Sequence, residues 1–439
     1  MLKGNKLIKI GMAVALLFLV TVFNGCDDND QVVGAAPTVQ ELWNDKTVEL
    51  TYPTDGITTE DRIKGAIMGA LIGDALGVGC HWYYDFEILW ADYGTWIDDY
   101  VDPKEVAHEK MNFGNIAKLR YDTGVRGGWN SQSGQLIQIL LEVIADSTAG
   151  GTTEGEFVAA DYVAAVEDFF KNQLLPAAAF SDAGTINGLS GRFTDRAVRE
   201  NFDVWYKNGA MNGDWATDTD IASTTSTSDA AQWGVILAAL YRDPEELFPK
   251  AYELARMWYS DLAFISNHVM YIMTVQAIIN GAPLEDLSDH LRDTVSTVGA
   301  IGKFISSFDD WHTAIYQMKM AQKPQLFPVP DDRFASLIFG ADCHQAHLLP
   351  AAYYFAYKYA HDFEKAVLLA INSSGNNMAR AALTGGLVGA MVGIDGIPQR
   401  FIDGLDNDSA LIPRSLGSQS QYLLGMAQAV ANGTNHAIQ

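Results

Sequence analysis

Cysteine is scarce in this 439-residue chain, which carries only Cys26, Cys80 and Cys343. Three thiols are too few for the disulfide framework of a small secreted scaffold. Positive charge is short as well. Lysine and arginine total 29 against 54 acidic residues, a formal net charge of −25. Such a balance repels phosphate backbones and anionic headgroups, so nucleic acid is excluded as an expected partner. The P-loop, a G-x-G-x-x-G after a strand, H-E-x-x-H and G-x-S-x-G are all missing, which removes the motifs of several large enzyme classes. Sustained period-two alternation is also lacking, and an extended sheet is not expected.

What is present is apolar and helical in rhythm. Hydrophobic residues make up 48% of the chain and the mean hydropathy is +0.01, enough for a large core in one big or two ordinary domains. Windows such as "SGQLIQILLEVIAD", "AAQWGVILAALYRD" and "QAHLLPAAYYFAYKYAHDFEKAVLLAI" place apolar residues three and four apart. They are separated by turn-rich breaks such as "DSTAGGTTEGE" and "QKPQLFPVPDDR". No break reads as an inter-domain linker and no solenoid period occurs, so the expectation is one all-α domain over 58–439.

Ahead of it, residues 1–25 read as a leader. Lys3, Lys6 and Lys9 precede the apolar "IGMAVALLFLVTVF", and "NGC" ends at Cys26. The pattern resembles a bacterial lipoprotein signal, with Phe23 bulkier than is usual three residues before the cysteine. The apolar run is shorter than the roughly 20 residues of a spanning helix. Cys26 is thus the expected lipidation site, 26–57 a polar tether, and the cell envelope the expected location, with a lipid anchor as the membrane contact. Cys80 and Cys343 then either pair or remain as two buried thiols.

The stretch "RIKGAIMGALIGDALGVGCHWYYD" holds Gly65, Gly69, Gly73 and Gly77 on one helix face, with Asp74 beside them. Charged Arg62, Lys64 and Asp74, and the lack of an uninterrupted 18-residue apolar run, place this stripe in a protein core rather than a bilayer. A second stripe lies in "NNMARAALTGGLVGAMVG", with Asn377, Ala381, Gly385, Gly389 and Gly393 in phase. The two bare faces are expected to pack together and to bring Asp74 close to Asn376.

"GAIMGALIGDALG" and "AVLLAINSSGNNMARAALTGGLVGAMVG" together resemble the first and last motifs of the ADP-ribosylglycohydrolase family, over about Arg62 to Pro398. The resemblance implies an all-α, single-domain orthogonal helix bundle that cleaves a glycosidic bond. It also implies two divalent metals, usually magnesium, held by a Thr-Asp-Asp-Thr run and a late Asp-x-Asp-Thr run. At the matching positions this chain has Asn130, Ser131, Gln132 and Ser133, then Asn376, Asn377, Met378 and Ala379. Amides, hydroxyls and a thioether are poor ligands for hard cations. No metal is therefore expected, and magnesium remains only if the site survives in altered form. "HWYYD" and "SQSGQLIQILLEVI" are similar to the J1-crystallin-like branch of the family.

The expected catalytic acids are Asp74, Asp85 and Asp122. The expected substrate-binding set is His81, Trp82, Ser131, Gln132, Gln135, Asn376, Asn377 and Arg380. Amides and hydroxyls of this kind suit a small-molecule or glycan ligand, and the same residues also serve as helix caps. His344 and His347, spaced H-x-x-H, could join Cys343 and Cys80 on a metal, although partly buried histidines are more often simply hydrogen-bonded. The acidic loop "GDWATDTDIASTTSTSD" lacks the spacing of an EF-hand. Three functions remain open: a glycoside hydrolase with a divergent metal site, a family member that binds a glycan without cleaving it, and a weak magnesium-dependent ADP-ribosyl hydrolase.

Overall fold

Helix α1 (Thr59–Val78) starts where Thr58, in extended backbone, accepts a hydrogen bond from Asp61 N, with Glu60 and Asp61 in the first turn. Both features favour a helix start. The structure is a computed structural model, and it describes residues 48–53, 56–105, 120–149, 155–177, 195–208, 222–297, 312–405 and 419–433. The leader with Cys26, the tether up to 47, and residues 213–221 of the acidic loop lie outside the described residues.

Ten further helices position the site: α2 (Phe86–Tyr93), α3 (Gln132–Ala149), α4 (Arg196–Asn208), α5 (Asp229–Trp233), α6 (Pro244–Trp258), α7 (Leu262–Ile279), α8 (Gln345–Lys358), α9 (Phe363–Asn372), α10 (Asn377–Val392) and α11 (Gln419–Gly433). Among the described residues no strand forms, only an isolated bridge between Ser223 and Tyr259. The fold is all-α.

At its centre α1 lies against α10, the most extensive helix pair. A Cβ placed on Gly65 would sit 2.2 Å from Gly389 O, on Gly69 2.2 Å from Gly385 O, and on Gly73 2.1 Å from Ala381 O. The pairing descends along one helix as it climbs the other, so the two run antiparallel. Each glycine costs about 1 kcal/mol against alanine in a helix interior, and the close backbone approach is what offsets it. Arg62 Nη1 closes the pair at one end by donating to Ala390 O (2.9 Å) and Met391 O (3.0 Å), the orphan carbonyls of the α10 C-terminus.

Around this pair pack α7, α8, α9, α11 and the N-terminal half of α3. Helix α7 has a mean hydropathy of 1.5 and is long and apolar enough to cross a membrane by length and composition, yet 78% of it is buried inside the protein. It acts as a core helix.

Candidate active site

The opening of α3 is the hub. Asp74, fully buried on α1, accepts from Ser131 Oγ (2.5 Å), Ser131 N (2.8 Å) and Asn130 Nδ2 (2.9 Å). Ser131 Oγ in turn accepts from Gly134 N (3.1 Å), and Gln138 Nε2 donates to Asn130 Oδ1 (2.8 Å). Gly134 has no room for a side chain, because a Cβ there would lie 2.1 Å from Asp74 Oδ2. A carboxylate fed by three donors at a helix start is an anchor for that helix. The pattern explains why an acid accompanies the glycine stripe.

The other expected acids take different places. Asp85 is exposed and caps α2 by accepting from Glu87 N (2.8 Å) and Ile88 N (3.3 Å). Asp122 is exposed at the end of the turn that carries Arg120. Asp85 and Asp122 thus stand in exposed positions, whereas Asp74 is fully buried.

Six and seven residues beyond Asp74, Cys80 and His81 meet the start of α10. Asn377 Nδ2 donates toward Cys80 Sγ (3.1 Å) and Cys80 O (3.3 Å), which leaves its Oδ1 to accept from His81 Nδ1 (3.2 Å). His81 is fully buried. Burial and the nearby Arg120 and Arg380 guanidinium groups hold its pKa well below the usual value, so it is neutral. Arg120 Nη1 donates to His81 O. Asn376 caps α10, accepting from Ala379 N (3.4 Å), while its own N donates to Ala341 O (2.7 Å). The preceding Ser374 and Gly375 both have φ of 63°, and a Cβ on Gly375 would lie 2.1 Å from Ala341 O. Only glycine fits there, and Ser374 is a genuine strained position of the kind found beside functional sites. Met378 packs with Val78, Trp82 and Val125, against half-buried Tyr84 and Trp129.

Gln135 faces elsewhere, reaching Gln173 (3.4 Å), and Gln132 is buried at the first residue of α3. His344 Nδ1 accepts from Ala346 N (3.0 Å) as the cap of α8, and His347 Nδ1 pairs with Asp342 (2.6 Å). Cys80 and Cys343 are free thiols, and no group of three or more metal-ligating side chains occurs among the described residues. The H-x-x-H metal site is not assembled.

Two residues beyond Ser131, Ser133 leads to a group that sequence reading missed. Ser133 Oγ donates to Asp229 Oδ1 (2.9 Å); Thr227 Oγ1 (2.8 Å) and Tyr259 OH (3.0 Å) donate to Asp229 Oδ2. Trp233 Nε1 donates to Ser133 Oγ (3.1 Å), which orients that hydroxyl toward the acid. Asp195, at the start of α4, hydrogen-bonds side chain to side chain with Asp229, and the two residues are 6% and 1% exposed. Burial raises both pKa values; the Asp229 carboxylate pushes Asp195 well above the usual range, while donors from Thr227, Asp195, Ser133 and Tyr259 restrain the rise at Asp229. Two touching carboxyls do not both ionise, so the pair holds one proton, and Asp195 is the more strongly raised of the two. Cys343, its thiol pushed up to about 12 by burial and by Asp195, Asp342 and Asp229, lies within electrostatic range of the pair; Tyr84 senses both Cys343 and Arg380. Asp229 was visible in sequence as the one acid between "TSTS" and the apolar "AAQWGVILAAL". Asp195 carried no signal beyond that of an ordinary helix cap.

The family of the chain is now established. It belongs to the ADP-ribosylglycohydrolase family, whose sequence profile matches residues 55–435. Among solved structures it is similar to a chain described as an "ADP-ribosylglycohydrolase-related protein complex", at 17% identity and a TM-score of 0.51, covering 86% of this chain and 99% of that one. At that identity the likeness shows the fold alone. No curated protein matches the chain.

Proposed function

We propose that the chain is an exported, lipid-anchored hydrolase of a glycosidic bond in a sugar or nucleoside-like ligand, with Asp195 as its proton donor. The coarse hydrolase reading comes with the family. The observation that carries the finer one is the buried Asp195–Asp229 pair, tied to Ser133 inside the family's first site run. A divalent cation does not fit the residues present. The two runs offer amides, hydroxyls and a thioether, and the buried guanidinium of Arg380 comes directly after the second.

Glycosidases with separate acid and nucleophile hold their carboxyls about 5 Å or more apart. A hydrogen-bonded pair is closer and acts as one unit sharing one proton, as in other carboxyl dyads. Asp195 gives that proton to the leaving oxygen as the bond to the anomeric carbon breaks. Water adds to that carbon as the bond breaks and passes its proton to Asp229, so one carboxyl of the pair stays protonated, and a proton shift within the pair restores Asp195. Ser133, Thr227 and Tyr259 hold Asp229 in place to receive it, while Gln132, Asn376 and Trp82 are the groups assigned to ligand hydroxyls and ring faces.

A panel of glycosides and ADP-ribosyl compounds incubated with the full chain tests this. Cleavage that is indifferent to EDTA and that drops about 100-fold or more in Asp195→Asn is expected, the usual range for loss of a general acid. Cleavage that needs magnesium, or that survives in Asp195→Asn, would overturn it. Binding without cleavage would favour the second reading, a family member that binds a glycan, which the amide replacements at Asn376 and Asn377 also suit. Export is tested separately: palmitate should label the chain in cells and should not label Cys26→Ser.

A further inference from the structure

Arg380, in the first turn of α10, is fully buried and uses only one arm of its guanidinium group. Nη1 donates to Ala370 O (3.0 Å) and Ser374 O (3.0 Å), at the C-terminal end of α9. Nε and Nη2, the two N–H groups that form the side-on fork, are buried with no hydrogen-bond partner. Burial lowers its pKa to about 10, and the group opposing that is Tyr84 rather than a carboxylate. A buried cation with an unused bidentate edge is costly unless something completes it. The neighbouring charges do not. Arg120 is a second fully buried cation close to His81, and His81 is neutral.

From these observations we infer that the ligand carries an oxyanion group, carboxylate or phosphate, that docks side-on against Nε and Nη2 of Arg380. The planar fork matches two oxygens of either group in two parallel hydrogen bonds. It lies directly after the run Asn376–Ala379, so a fixed guanidinium supplies positive charge beside the positions where the family's run would bind cations. Tyr84, half-buried, lies within electrostatic range of Arg380. Anion docking does not depend on the hydrolase reading; only the fate of the bound ligand does.

The test is calorimetric titration and thermal shift of the full chain with inorganic phosphate, with glucuronate, and with glucose as the uncharged control. At least one anion should bind and raise the melting temperature while glucose does not. Phosphate alone would point to a phosphoryl ligand, and glucuronate to an acidic sugar. Arg380→Lys keeps the charge and loses the fork, and should bind the effective anion about tenfold or more weakly. Binding of neither anion to the wild type, or wild-type anion affinity in Arg380→Lys, would overturn the inference. Loss of turnover in Asp195→Asn with anion binding retained would separate this site from the acid pair.

Discussion

At the scale of single residues, the acids divide by their surroundings. Asp74 accepts from backbone and side-chain donors and holds the start of α3, so Asp74→Asn removes a charge-assisted anchor. Chemical denaturation of that variant should show a loss of about 1–3 kcal/mol, the cost of stranding buried polar partners. Unchanged stability would mean that the anchor is idle. Asp195 behaves in the opposite sense. Its folded pKa is raised, so the stability it contributes is fully present below the unfolded value near pH 4 and is lost as pH climbs toward the folded value. The stability difference between wild type and Asp195→Asn, measured from pH 4 to 7, should therefore drift against the wild type by up to about 1.4 kcal/mol per pH unit, the slope for one proton. A flat difference would mean that Asp195 is ionised when folded. Sequence could nominate Asp74 because an acid beside four glycines is conspicuous. It could not reveal that Ser131 and Asn130 consume both its oxygens, since that depends on a contact across more than fifty residues. Asp195 and Asp229 became neighbours by the same kind of long-range contact.

At the scale of elements, the glycine stripes were the most legible feature, because a period of four states directly which face is bare. The prediction that they meet holds position by position from Gly65 with Gly389 to Gly73 with Ala381. Gly69→Ala should destabilise on the order of 1–3 kcal/mol, since the new methyl meets the backbone carbonyl of Gly385, which has no rotamer to yield. Gly425→Ala in α11 is the matched control. A Cβ there meets nothing within 4 Å, so it should stabilise by about 0.5–1 kcal/mol. Equal effects from the two substitutions, read by thermal denaturation, would deny that close packing of α1 on α10 is what the glycines serve. At this scale the two histidines of the H-x-x-H spacing take the hydrogen-bonded roles that were the commoner reading. His344 is spent as the cap of α8 and His347 on Asp342, and spacing alone carries no information about those partners.

At the scale of the whole molecule, the all-α class and the family came from periodicity and two end motifs, whereas the site did not. Its acids come from the starts of α4 and α5, segments that neither end motif covers. One physical claim is central: this family member has a buried carboxyl pair, Asp195 and Asp229, that shares one proton. Infrared spectroscopy of the full chain at neutral pH tests that claim without needing a substrate. A protonated-carboxyl band at pH 7, lost in both Asp195→Asn and Asp229→Asn, is the predicted result; a wild-type spectrum with every carboxyl ionised at pH 7 would contradict it.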